Sequence, residues 1–278
     1  MNIKELLEKV RDREPLVQCI TNFVTVNDCA NILLAIGATP TMAMDSREVE
    51  EAVSRVSALV CNMGAIEHIE SMILAGKEAN KLHIPVVLDP VGAGGTTLRR
   101  EAVKKLIEEV HFTVIRGNAS EVKAIAGIDS LGRGVDVSKD DAVSERTLNR
   151  DIQIFETLAK RIGSVIVVSG EIDVITDGIH TILVRNGCSM MSRITGSGCM
   201  LTTLIGAFCG VNEAAVFEAT SLAVAIMGIA GELADEKRVA NATGNATFRN
   251  DLIDAIFNIT AEQIEEKVDY EIYKRTDS

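Results

Sequence analysis

Short apolar runs alternate with stretches of helical period along most of the chain, the pattern of βαβ units around a mainly parallel sheet. Leu16–Ile20, Pro40–Ala43, Ala58–Cys61, Pro85–Leu88, Phe112–Ile115 and Val165–Val168 predict strands. Most are near-continuous in Val, Ile and Leu, as strands buried on both faces are. Between them, Val26–Ile36, Val49–Val56, Ile66–Leu82, Leu98–Glu109 and Asn118–Ala126 predict helices. Alternating Ile172 and Val174, then Ile179, Thr181 and Leu183, flank Asp177-Gly178 and predict a hairpin over Glu171–Arg185 with a type I′ turn. Only helices follow, at Gly198–Cys209, Glu213–Gly231 and Phe248–Lys267. The middle one is apolar nearly all round and so belongs in the interior. The chain reads as α/β, a mostly parallel central sheet with helices on both faces, residues 1–278 forming one domain. Gly127–Asp151 is the one polar, charged excursion and is expected to be a long surface loop.

Composition narrows the class. At 47% hydrophobic residues the chain carries enough apolar material for a sizeable core. Its net charge of −12 argues against a nucleic-acid partner, though not against a nucleotide, which needs only local donors. The charged amphipathic start, Met1 to Val10, has neither the apolar core nor the cleavage site of a secretory signal. The longest uncharged run, Ile194 to Asn212, holds four glycines with Thr195, Ser197, Thr202, Thr203 and Asn212, and is rejected as a membrane span. The expectation is a cytoplasmic protein without a membrane partner. Six cysteines without a C-x-x-C pair read as reduced, mostly buried thiols. Four scattered histidines leave no zinc spacing.

The informative polar residues fall where the expected strands end. Open parallel sheets bind ligands outside their carboxyl ends. There stand Thr21-Asn22, Met44-Asp45, Asn62-Met63-Gly64, Asp89-Pro90, Arg116-Gly117-Asn118 and Ser169-Gly170-Glu171. A second signal is Thr195-Gly196-Ser197-Gly198-Cys199, which leads directly into an apolar helix. Such a turn aims several backbone N–H groups at one spot, and the helix dipole adds positive charge, together an anion site. It is neither a Walker A loop nor G-x-G-x-x-G, since Leu201 stands at the third glycine. In the first helical turn, the Cys199 thiol is expected to have a lowered pKa, with a plainly packed small residue as the other reading. Val91 to Thr97 is a second glycine-rich loop, beside Asp89. Asp89 and Glu121 are hard-oxygen donors suited to a hydrated Mg²⁺, although Glu121 also suits a solvated helix surface.

The residues Gln18 to Asn31 (QCITNFVTVNDCAN), Gly37 to Met44, Val87 to Gly94, Ile115 to Glu121 and Thr195 to Leu201 resemble the hydroxyethylthiazole kinases of thiamine salvage. The match runs in order from about Pro15 to the last helix and weakens in Gly127–Asp151. The resemblance implies a ribokinase-like three-layer α/β sandwich without a lid domain. It implies transfer of the ATP γ-phosphate to the hydroxyl of 4-methyl-5-(2-hydroxyethyl)thiazole; on their own chemistry Asp89 and Glu121 would organise a Mg²⁺ there, mainly through water. Met44 and Gly196 would lie against the thiazole alcohol, with Asn22 and Gly64 beside them. Arg116 and Ser169, with Asn118, would contact ATP. Cys199 occupies the place where ribokinase relatives carry an aspartate base, between Gly196 and Gly198 and the substrate hydroxyl. A homotrimer with sites at subunit contacts is also implied. Ser169 departs from the threonine usual there, keeping the hydroxyl and losing a methyl. Two other functions fit parts of the pattern: a nucleotide-dependent dehydratase of the same fold, and a non-catalytic binder of nucleotide or thiamine precursor.

Overall fold

The structure, a computed structural model, describes residues 1–127 and 147–274. Among the described residues nine strands form one sheet. In chain order they are β1 (Leu16–Ile20), β2 (Thr39–Thr41), β3 (Ala58–Asn62), β4 (Val86–Asp89), β5 (Val114–Asn118), β6 (Val165–Ser169), β7 (Asp173–Thr176), β8 (Thr181–Val184) and β9 (Tyr270–Ile272). They lie in the order β2-β1-β3-β4-β5-β6-β7-β8-β9. The pairings from β2 to β6 are parallel and those from β6 to β9 antiparallel.

Because side chains alternate across a strand, each parallel strand feeds two cores. Val17, Val60, Val87, Val114 and Val167 face one core. It is closed by α2 (Val26–Ile36), α8 (Ser197–Cys209) and α9 (Val216–Ala240), with α1 (Ile3–Arg13), α10 (Asn245–Asn258) and α11 (Ala261–Lys267) packed around them. Leu59, Cys61, Leu88, Ile115 and Ile166 face the other. It is closed by α3 (Val49–Val53), α4 (Ile69–Lys81), α5 (Thr97–Glu109), α6 (Ala119–Ile125) and α7 (Leu148–Ile162). The three layers match the sequence expectation. Glu213–Ala240 is the one helical stretch among the described residues long and apolar enough to cross a membrane; 72% of its most apolar window is buried within the fold. It is the central helix of the first core.

α8 lies very close to the sheet. A Cβ on Gly206 would stand 2.7 Å from Val60 Cγ2, and one on Gly210 would stand 2.9 Å from the Ser57 carbonyl oxygen. Only hydrogen side chains permit that approach.

Several boundaries differ from the expectation. Ile66–Leu82 divides into a 3₁₀ turn, Ile66–His68, and α4. Phe248–Lys267 is two helices, because Thr260 leaves the helix and caps α11 in a reciprocal box with Gln263. The hairpin forms, but its loop runs from Asp177 to His180. A type I′ turn needs positive φ at both central residues, and only Gly178 has it. Asp177 instead folds the loop by accepting from the amides of Ile179 (2.7 Å) and His180 (2.6 Å). The excursion expected at Gly127–Asp151 falls mostly outside the described residues, and its last four residues already belong to α7.

Candidate active site

The carboxyl ends of β1, β3, β4, β5 and β6 meet the N-terminus of α8. Gly196 caps that helix at φ +87°, a left-handed conformation that glycine adopts without Cβ strain. No side chain caps the first turn. The amides of Ser197, Gly198 and Cys199 therefore face outward at the positive end of a helix 13 residues long.

Two side-chain clusters flank this turn. In the first, Asn62 Nδ2 donates to Cys199 Sγ at 3.2 Å, and Asn22 Nδ2 lies 3.6 Å from the same sulfur. Asn22 also donates to Asn62 Oδ1 at 3.3 Å, while the Gly64 amide donates to that oxygen at 2.8 Å. The Asn22 Oδ1 atom accepts from the amides of Val24 and Thr25, so the pair of amides is held rigidly. A Cβ on Gly64 would stand 2.7 Å from Asn62 Oδ1 and 2.8 Å from Asn22 Nδ2.

In the second cluster Arg116 donates through Nη2 to Ser169 Oγ, and its Nη1 lies 3.7 Å from Asp89 Oδ2. Its guanidinium packs directly on Gly198, where a Cβ would collide with Nη1. Asp89 is 1% exposed. Its Oδ2 accepts from Thr202 Oγ1 at 2.8 Å, and its Oδ1 has no hydrogen-bond partner. Arg116 Nε is likewise buried without one. Glu121 closes the far side. Its Oε1 accepts from the Gly92 amide at 2.8 Å and its Oε2 from the Asn118 amide at 2.9 Å. The second of these, with Asn118 Oδ1 accepting from the Glu121 amide, is a capping box that starts α6.

Burial governs the electrostatics. It raises the carboxyl of Asp89 above the ordinary aspartate value, against the pull of Arg116. Burial, reinforced by the charge of Asp89, pushes Glu121 up to about 7. The Cys199 thiol is pushed up to about 12, first by burial and then by Asp89. Hydrogen bonds from Thr25 and Asn62 oppose that rise without cancelling it. The lowered thiol pKa expected from the helix dipole is therefore overturned. A first-turn position supplies a fraction of a charge, whereas desolvation and a nearby carboxylate act on the whole thiolate. Cys199 carries its proton at neutral pH.

The structure thus brings Asn22, Gly64 and Cys199 together, and Asp89, Arg116, Ser169 and Gly198 together, on the two sides of Gly196. Asn118 and Glu121 lock each other. Met44 follows the carboxyl end of the edge strand β2 and is partly buried against the second core. Its loop is fixed by Gln18 Nε2, which donates to the Ala43 carbonyl at 2.9 Å. The glycine-rich loop after Pro90 is also fastened from within: Gly92 bonds Glu121, and Arg99 Nη1 donates to the carbonyls of Met63 (2.8 Å) and Val91 (2.7 Å). Three contributors carried no assigned role in the sequence reading: Asn62, noted there only as a strand-end residue, Thr202 and Thr25. Asn62 ends a strand as Asn22 nearly does. Thr202 sits one helical turn beyond Gly198, and that spacing was its available signal.

The sequence profile described as the hydroxyethylthiazole kinase family matches residues 7–262. The chain belongs to this family. It is 47% identical over 273 residues to the hydroxyethylthiazole kinase of Clostridium acetobutylicum, covering 98% of this chain and 100% of the relative. The solved hydroxyethylthiazole kinase protein of Pyrococcus horikoshii OT3 superposes with a TM-score of 0.85 at 34% identity, over 98% of this chain and 99% of that one. A ribokinase-like superfamily protein of Enterococcus faecalis V583 shares the architecture alone, with a TM-score of 0.60 at 12% identity over 91% and 93% of the two chains. The family's fold is the one built above, a ribokinase-like α/β sandwich.

Proposed function

We propose that this site carries out the family's reaction, transfer of the ATP γ-phosphate to the primary hydroxyl of 4-methyl-5-(2-hydroxyethyl)thiazole in thiamine salvage. The observation that carries the assignment of residues is the convergence of uncapped α8 amides with the Arg116 guanidinium on Gly198. Phosphoryl transfer passes through a loose transition state, so positioned positive charge matters more than a strong base. The amides of Ser197, Gly198 and Cys199 hold the equatorial oxygens of the phosphoryl group. Arg116, oriented by Ser169, neutralises charge toward the leaving group. Cys199, protonated and gripped by Asn22 and Asn62, orients the substrate hydroxyl rather than deprotonating it. Met44, Gly64 and Gly196 line the alcohol, and Asn118 shapes the nucleotide end.

The donor set suits a hydrated Mg²⁺. Asp89 Oδ1 is a buried hard oxygen without a partner, and both oxygens of Glu121 are already engaged by amides. Asp89 would hold the ion, with Glu121 acting through water; when bound, Mg²⁺ would screen the β- and γ-phosphate oxygens. A buried carboxylate of this kind has no use in a non-catalytic binder, and the dehydratase reading would place an aspartate where Cys199 stands.

Residues 1–278 act as one kinase domain in the cytoplasm. The chain assembles as a homotrimer, since Phe23 and Val24, next to Asn22, are 84% and 55% exposed and suit a second copy at the pocket rim. A coupled ADP-release assay with ATP, Mg²⁺ and a panel of small alcohols tests the function. The thiazole alcohol should be turned over and large polar sugars should not; equal turnover of both overturns the substrate assignment.

A further inference from the structure

We propose that Thr25 is a positioning residue for phosphoryl transfer, its methyl setting the Gly196 turn and its hydroxyl setting the Cys199 thiol. This rests on the roles given above to Gly196 and Cys199.

Thr25 stands at the N-cap of α2, where a threonine hydroxyl ordinarily accepts from the second or third helical amide. Here it makes no such bond. Its hydroxyl turns instead toward the neighbouring cysteines: it accepts from Cys29 Sγ at 4.0 Å, and it favours the Cys199 thiolate against the burial that pushes that thiol up. On the other branch, Cγ2 packs on Gly196 so closely that a Cβ there would be 2.8 Å away. The backbone is pinned by Asn22, whose Oδ1 accepts the Thr25 amide at 3.2 Å and whose amide nitrogen lies against Cys199. Threonine is β-branched, so one χ1 angle places methyl and hydroxyl together. The residue is 3% exposed. One rigid side chain therefore ties the anion-binding turn to the group that orients the alcohol, at the cost of a helix cap.

The two branches can be separated. Thr25→Ser keeps the hydroxyl and loses the methyl; Thr25→Val does the reverse. The full chain with each change is assayed for steady-state phosphorylation of the thiazole alcohol. Alkylation of Cys199 by iodoacetamide is followed on its own peptide at about pH 9, where thiolate content limits the rate. Thr25→Ser should lower kcat severalfold and leave Cys199 alkylation at the parental rate. Thr25→Val should lower kcat and slow alkylation by about threefold to tenfold, the reach of one lost hydrogen bond. Parental kcat in both variants, or equal alkylation in both, overturns the inference. If Thr25→Val does not fold, Thr25→Ser decides alone: parental kcat there overturns it. Gly196→Ala separates the two levels of the argument. Parental kcat in Gly196→Ala removes the assignment of the turn itself; impaired Gly196→Ala beside unimpaired Thr25 variants removes only the role of Thr25.

Discussion

Cys199 is surrounded by groups that treat it as a neutral hydrogen-bonding atom. Two side-chain amides approach its sulfur, and burial pushes the thiol up to about 12. Serine preserves that role. Cys199→Ser should retain turnover within about tenfold in the ADP-release assay, whereas a loss beyond about 10⁴-fold would exceed a general base's usual contribution and overturn the orienting role. Asp89 gives a contrasting case. Its carboxyl is raised by burial, so the folded state holds its proton to higher pH than the unfolded chain does. Stability from this group is present at low pH and is lost as pH rises through the raised value. Asp89→Asn should therefore melt higher than the parent by a margin that widens from pH about 4 toward neutrality, measured in chelator. The same variant should lose about 10²–10³-fold in kcat, the scale of a missing electrostatic group. A parental kcat in Asp89→Asn would overturn the role given to Asp89; nucleotide affinity untouched by the change, in a parent without turnover, would favour the binder reading.

Among elements, what the sequence revealed and what it withheld have physical causes. β1, β3, β4 and β6 were legible because each is a short, largely apolar run with a polar residue at or just past its end, and those ends carry the candidates Asn22, Gly64, Asp89 and Ser169. α9 was legible as interior from its unbroken apolarity. α7 was within reach, since Leu148, Ile152, Phe155, Leu158 and Ala159 recur at helical spacing, but the charged run ahead of it obscured its start. β9, three exposed residues on the sheet edge, carries almost no pattern of its own. The division between α10 and α11 turns on one cap at Thr260. Thr260→Ala should cost about 1 kcal/mol, lowering the melting temperature by about 2–4 °C without changing kcat. No change in melting temperature would mean that the break is set by packing alone. The pKa of Cys199 was beyond local reading altogether, because Asp89, which opposes its ionisation, comes from a strand 110 residues earlier in the chain.

For the molecule as a whole, the sheet separates two cores and leaves its carboxyl edge to chemistry, and the rim of that edge includes apolar surface. Phe23→Asp places a charge on the most exposed large side chain there, at 84%. Light scattering after size exclusion should show the parent as a trimer and the variant as a smaller species with reduced kcat/KM for the thiazole alcohol. A monomeric parent would overturn the assembly.

The helix that presents the amides proposed to bind phosphate is seated on the sheet with hydrogen atoms for spacers at Gly206 and Gly210, and its first turn abuts Arg116 at Gly198. A rod clamped at both ends has no play. Any methyl added beneath its middle, far from ATP and alcohol alike, must lift or slide the whole rod, and its tip is where the reaction would register the disturbance.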